Sequence, residues 1–177
     1  MNISRLLKNI LRYGLLLGLA LCLYTTLMWL TQLDTRYLAT GQYLDIVVVL
    51  LPIGFMSAAI RQHKRRQGYL GAGQRIAVSV GIGHVAELLY RPYLYAYHTR
   101  LNPEWFSAVL ALKRTELMAA GRSAQNITTE LARLQATHAR PAGMFAGWWV
   151  SAFVLPALIA LLTLLFLRNQ SVKTQAG

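Results

Sequence analysis

The chain has 177 residues, of which 55% are hydrophobic and 14% charged, and its formal net charge is +12. An ordinary soluble domain is about a quarter charged, and these apolar residues form long runs, so the composition argues against a soluble domain and for a membrane protein. The basic residues lie in short segments beside the apolar runs, a placement that membrane topology explains, so nucleic acid is not expected as a partner.

The first predicted span covers residues 13–33 and follows a basic, acid-free segment. A cleaved signal peptide is disfavoured, because the apolar run has full membrane-spanning length. Its Gly14 and Gly18 form a G-x-x-x-G pattern, which suits either dimerisation or a close contact within one bundle. The single cysteine, Cys22, is expected to be a packing residue, since one thiol forms no internal disulfide.

The second predicted span covers residues 44–60 after a short loop, and Pro52 is expected to kink it. A basic loop then runs from residue 61 to residue 75 without an acid. This loop either binds acidic lipid or a partner's carboxylates, or it marks the cytoplasmic side of the membrane, and the second interpretation is preferred. Its basic residues are Arg61, Lys64, Arg65, Arg66 and Arg75.

The third predicted span, residues 76–98, carries a polar stripe. At helical spacing the stripe occupies a sector of about 80°, and a lipid-facing position would be costly, so it is expected to face protein or water. The pairs at three- and four-residue spacing are close enough to touch. The stripe consists of His84, Glu87, Arg91, Tyr95 and His98.

The longest segment outside the predicted spans, residues 99–143, is expected to form two external helices at about 103–120 and 124–138. Asn102 is the predicted N-terminal cap of the first, followed by a proline. The amphipathic pattern indicates a helical hairpin or two helices on the membrane surface. Its predicted recognition surface comprises Trp105, Phe106, Val109 and Leu110, and a fourth span follows at residues 144–167.

The distribution of basic residues predicts the orientation. Residues 1–12, 61–75 and 168–177 hold ten basic residues and no acid, whereas the short loop between the first two spans holds Arg36 alone as a basic residue. Short cytoplasmic loops carry the excess of Lys and Arg, so both termini are predicted to be cytoplasmic. The expected fold is an all-α, four-span membrane domain with an extracytoplasmic helical hairpin.

The polar stripe admits two interpretations. It is either a proton or ion path, in which His84 and Glu87 titrate, or an internal Glu87–Arg91 ion pair that orders the helices. The second is preferred, because the other predicted spans have no titratable residue near their middle. No metal site or cofactor is expected, because His84 and Glu87 supply only two possible ligands and no third His or carboxylate lies at membrane depth. No catalytic motif is present in the sequence either.

The arrangement of these segments resembles the domain-of-unknown-function family 4199, small four-span bacterial membrane proteins. The matching features lie between Arg12 and Arg168: a second span running into a basic loop that ends in glycines, a third span, the helix start at Asn102, and an external helical segment before the last span. The resemblance implies an integral inner-membrane protein and brings no catalytic residues with it. We expect a non-enzymatic accessory or structural protein that associates with itself or with other membrane subunits and with lipid; the alternative is a small proton-coupled transporter.

Overall fold

The computed structural model describes residues 3–67, 71–138 and 150–166, and in this part of the chain the regular elements are all helices, joined by short turns. The prediction of an all-α fold is confirmed over these residues. Two short π-helical turns, Tyr97–Leu101 and Val150–Val154, interrupt the α-helices. The α-helices are α1 (Ile3–Leu30), α2 (Leu38–Leu44), α3 (Ile46–Gln67), α4 (Ala72–Ala96), α5 (Trp105–Ala119), α6 (Ala124–His138) and α7 (Leu155–Phe166).

Helix α4 lies at the centre of a bundle and packs against α1, α3 and α7. Its apolar side chains meet those of its neighbours in one core, where burial of apolar surface stabilises the arrangement. The buried core residues are Leu17, Leu21, Met56, Ala59, Ile60, Val78, Ile82, Ala86 and Ile159.

Two glycines of α1 decide how closely α1 and α4 approach. A Cβ added at Gly14 would lie 2.5 Å from the Cβ of Val85, and one added at Gly18 would lie 3.0 Å from the carbonyl oxygen of Ala86. Small residues permit such close backbone approach between helices. The G-x-x-x-G face is therefore filled by α4, which favours the contact within one bundle over a dimerisation face.

Helices α1 and α4 run parallel to each other. Ile10 meets Gly81 near their beginnings, and Thr26 bonds Tyr93 near their ends. Helix α3 returns in the opposite direction, because Asn9 near the start of α1 donates a hydrogen bond to the Ala59 carbonyl near the end of α3. The start of α1, the end of α3 and the start of α4 thus lie at one end of the bundle.

The outer side of α1 is a continuous apolar stripe. Its leucine side chains recur at helical spacing and are at least 43% exposed. Exposure of so much contiguous apolar surface to water would be unfavourable. Two helical stretches, Ser4–Leu30 and Leu38–Arg65, are long and apolar enough to cross a membrane, and Ala152–Leu162 is a shorter apolar helix. The exposed leucines of α1 are Leu7, Leu11, Leu15, Leu16, Leu19, Leu23, Leu27 and Leu30.

Several predicted boundaries differ from the observed helices. Helix α1 begins ten residues before the predicted span, and α3 continues through the segment predicted as a basic loop as far as Gln67. The loop prediction is wrong for that segment, because Arg, Lys and Gln are good helix formers and let the apolar helix continue. The short loop predicted before the second span likewise contains α2.

The later elements lie close to their predicted positions. Helix α4 begins four residues before the predicted third span, and the π-helical turn Tyr97–Leu101 extends beyond its end. Helices α5 and α6 fall within the two ranges predicted for the external helices, and Gly121, with φ of +68°, makes the turn between them. The predicted fourth span begins at residues outside the described part of the chain, while α7 occupies its later portion.

Candidate functional site

The polar stripe of α4 is built around one ion pair. The Nε of Arg91 donates to Oε2 of Glu87 at 2.5 Å, one helical turn away, as the four-residue spacing predicts. The Glu87 residue is 8% exposed. A carboxylate at this depth is costly unless it is paired, so the Arg91 guanidinium makes its burial possible.

His84 is held by its own helix and by the last part of the described chain. Its Nδ1 lies 2.8 Å from the carbonyl oxygen of Val80, and its ring meets Phe153 edge-on at a centroid distance of 4.4 Å. The structure thus brings Glu87 and Arg91 together and places His84 against the π-helical turn Val150–Val154, which precedes α7.

The outer half of the stripe opens into a cavity of about 420 Å³ between the end of α4 and the α5–α6 pair. This volume lies within the range of small-molecule sites, about 300–1,000 Å³. Arg91, Tyr95 and His98 of the predicted stripe contribute to its wall. The cavity, which we call the α4–α5 cavity, is lined by Arg91, Pro92, Leu94, Tyr95, His98, Trp105 and His138.

His98 occupies the junction between α4 and α5. Its ring contacts Tyr97 at 5.1 Å and Trp105 at 4.2 Å between centroids, and its Nδ1 is buried without a hydrogen-bond partner among the described atoms. Burial, together with the neighbouring His138, lowers the pKa of His98 to about 4. The imidazole is therefore neutral at neutral pH and leaves one buried polar atom unsatisfied in the wall of the cavity.

The predicted recognition surface of α5 is partly occupied. Trp105 packs on His98, and Phe106 stacks on His138 at a centroid distance of 3.8 Å. These two aromatic side chains hold α5 to the end of α4 and to the end of α6. Val109 and Leu110 are half-buried. Two of the four predicted surface residues are thus engaged in contacts within the chain.

A second face of α4 carries a ladder of stacked tyrosines that was not predicted from the sequence. Tyr90 and Tyr93 stack at 6.4 Å, and Tyr93 and Tyr97 stack at 6.0 Å. Their hydroxyls reach α1, where Tyr90 lies 2.9 Å from Oγ1 of Thr25 and Tyr93 lies 2.8 Å from Oγ1 of Thr26. The signal was present, since three tyrosines at helical spacing face a threonine pair on another apolar helix.

The ladder ends in a buried polar cluster. Nδ2 of Asn102 donates to Oδ2 of Asp34 and to Oη of Tyr97, both at 2.9 Å. The prediction of Asn102 as a helix cap is wrong, because α5 begins at Trp105 and the Asn102 side chain is committed to this cluster. Burial raises the pKa of the Asp34 carboxyl, although the Asn102 hydrogen bond opposes that shift. Its Oδ1 has no partner among the described atoms.

The predicted basic residues gather at the opposite end of the bundle. Arg61, Lys64 and Arg65 lie on the last turns of α3, and Arg66 belongs to the same helix. Arg75 differs from them, because it lies in the first turns of α4 and is 4% exposed. These cations therefore occupy helix ends, with Arg75 packed into the bundle.

Metal ligands are not clustered in the described part of the chain, where no group of three His, Cys, Asp or Glu side chains is placed to hold an ion.

These features define an α-helical bundle with at least two helices that are apolar enough for a membrane, a paired polar stripe and a cavity beside it. The chain belongs to the family described as "Protein of unknown function (DUF4199)", whose model matches residues 12–169. The predicted family is thereby confirmed. No curated protein and no solved structure matches the chain.

Proposed function

We propose that the chain is a four-span protein of the bacterial inner membrane with both termini in the cytoplasm. The supporting observations are the exposed leucine stripe of α1 and the gathering of basic helix ends at one end of the bundle. Basic residues concentrate on the cytoplasmic side of membrane proteins. In this arrangement α1, α3, α4 and α7 provide the spans, the third span ends with α4 at Ala96, and α5 and α6 lie outside the membrane.

Within that frame the chain acts as a non-enzymatic accessory or structural subunit, bound to another membrane protein or to a second copy of itself. The observation that carries this proposal is the surface of the α5–α6 pair. Both helices lie wholly within the described residues, and between them Ile127 alone is buried. Met118 is 62% exposed beside Arg114 and Arg122, an apolar and cationic surface suited to a partner.

The geometry favours this role over proton-coupled transport. Glu87 is paired with Arg91, and His84 is bonded to the backbone of its own helix. An ion pair one turn apart satisfies the buried carboxylate with a charge from its own helix. These contacts suit a residue pair that orders helices better than a path that exchanges protons.

Cysteine labelling tests the proposed topology. In a Cys22→Ser background, single cysteines are placed at Gln125 in α6 and at Arg65 in α3, both of which are exposed. A membrane-impermeant maleimide added to intact cells with a permeabilised outer membrane should label Gln125→Cys but label Arg65→Cys only after lysis. Labelling of both or of neither before lysis would refute the orientation.

Purification in a mild detergent tests the accessory role. The chain should migrate as a stoichiometric complex with a second copy or with another membrane protein. Met118→Glu should dissociate that complex, because it places a charge at the proposed apolar contact. Thr115→Glu is the matched control, since it adds the same charge to an exposed position of the same helix. A lone monomer for the unmodified chain, or equal loss of the complex in both variants, would contradict the proposal.

A further inference from the structure

We propose that the α4–α5 cavity binds a single-chain amphiphile with an acidic head, that is, a long-chain carboxylate or a phosphate-headed lipid with one acyl chain. The cavity combines an apolar wall, a set of nitrogen hydrogen-bond donors, and a position at the proposed membrane boundary. Each of these three features selects a different part of such a molecule.

The wall suits an apolar chain. Pro92, Leu94, Tyr95 and Trp105 supply aliphatic and ring surface around a volume of about 420 Å³. Burial of an apolar chain against such surface is favourable in proportion to the area removed from water. The aromatic rings also give a rigid surface that loses little conformational entropy on binding.

The polar groups of the lining suit an acidic head. Arg91, whose Nε is paired with Glu87, contributes a guanidinium, and His98 and His138 contribute imidazoles, whereas the described lining residues include no carboxylate. Nδ1 of His98 is buried without a hydrogen-bond partner among the described atoms, although buried polar groups are generally satisfied. In the neutral tautomer that carries its proton on Nδ1, this ring would donate a hydrogen bond to a carboxylate or phosphate oxygen of a bound ligand.

The position of the cavity suits a molecule that comes from the bilayer. Tyr95 is 61% exposed at the last turn of α4, so the wall is open on one side. In the proposed topology this side lies at the periplasmic face of the inner membrane. This membrane origin of the ligand rests on the proposed function. The chemistry of the cavity does not, because its lining is the same in any surroundings.

The fluorescence of Trp105 gives a direct test with the full-length chain. Phenylalanine replaces the other tryptophans, which are Trp29, Trp148 and Trp149. The purified protein in mild detergent is then titrated with brominated palmitate, brominated lysophosphatidylglycerol and a brominated monoacylglycerol of the same chain length. Bromine quenches indole fluorescence at short range, so a chain beside Trp105 is detected directly.

We expect saturable quenching by one or both acidic amphiphiles, and the tighter of the two identifies the source of the head group. The neutral monoacylglycerol should bind at least about tenfold more weakly, since it lacks the charge-assisted hydrogen bonds of the head. Absence of saturable quenching, or equal affinity for the neutral and acidic compounds, would overturn the proposal.

Two variants and one control variant locate the binding. Leu94→Tyr fills the cavity and should weaken binding at least about tenfold, whereas Leu88→Tyr adds the same group to an outward position of the same helix that is 75% exposed and should leave binding unchanged. His98→Phe keeps a ring against Trp105 but removes the nitrogens, so it should weaken the acidic compounds alone. Equal effects of Leu94→Tyr and Leu88→Tyr would show binding to the general apolar surface and refute the cavity site.

The head-group comparison needs no cavity variant, so the test stands even if Leu94→Tyr fails to fold. It is also separate from the topology and partner tests. A chain with the wrong orientation in the labelling assay but selective quenching would overturn the proposed function and leave the cavity site. The predicted orientation without quenching would do the reverse.

Discussion

Replacing Asn102 by leucine tests how the outer end of the bundle is held together. The Asn102 residue is 4% exposed, and its Nδ2 donates to Asp34 and to Tyr97, each at 2.9 Å. Leucine has nearly the same size but no donor, so both oxygens lose that partner while remaining buried. A buried polar group left unsatisfied costs about 1–3 kcal/mol, so we expect the free energy of unfolding to fall by about 2–4 kcal/mol.

The measurement is denaturant unfolding of the full-length chain in mild detergent, followed by helical circular dichroism. Asn126→Leu is the matched control, because Asn126 is exposed on α6 and its side chain makes no hydrogen bond to another described residue. Substitutions at such surface positions change stability by about 0.5 kcal/mol or less. The difference between the two leucine variants isolates the contribution of the buried cluster.

A double-mutant cycle with Asp34→Leu tests the cause. Asp34 is 8% exposed, so the carboxylate that Asn102→Leu strands is the main source of the loss. Removing the carboxylate as well should make the double variant more stable than the sum of the two single losses predicts, by about 1–3 kcal/mol. Additive losses, or an Asn102→Leu variant as stable as Asn126→Leu, would refute the reasoning.

Three further predictions concern the packing of the helices and the junction between α4 and α5. Gly14→Ala should lower the unfolding free energy by about 1–3 kcal/mol through overpacking against α4, whereas Gly54→Ala, which meets open space, should not; equal effects would contradict the close approach. Because the pKa of His98 is about 4, below its ordinary 6.5, the unfolded state binds more protons between these values, so stability should fall as pH drops from 6.5 towards 4. His98→Phe should reduce that loss, and unchanged pH dependence in the same unfolding assay would refute it. Thr25→Val should cost about 1 kcal/mol by removing the Tyr90 contact, and Tyr90→Phe should then add little; full additivity would argue against the bond.

Local sequence patterns accounted for the helices and for the contact within one of them. Glu87 and Arg91 are four residues apart, a spacing that brings side chains together on any helix, and the predicted ion pair is present. Boundaries were less predictable, because Arg61 and its basic neighbours favour helix as readily as the apolar residues before them. The end of α3 at Gln67 therefore had no marker in the apolar pattern.

The sequence by itself determined the all-α class, the long apolar helices, the family and the polar stripe of α4, because each depends on composition or on spacing within one helix. The tertiary structure alone decided which faces meet. It joined Asp34 to Asn102, 68 positions along the chain, set Gly14 against α4, and closed a cavity between the stripe and Trp105. Helical periodicity fixes which side chains share a face, but the rotation and translation of one helix against another depend on how all their side chains pack together.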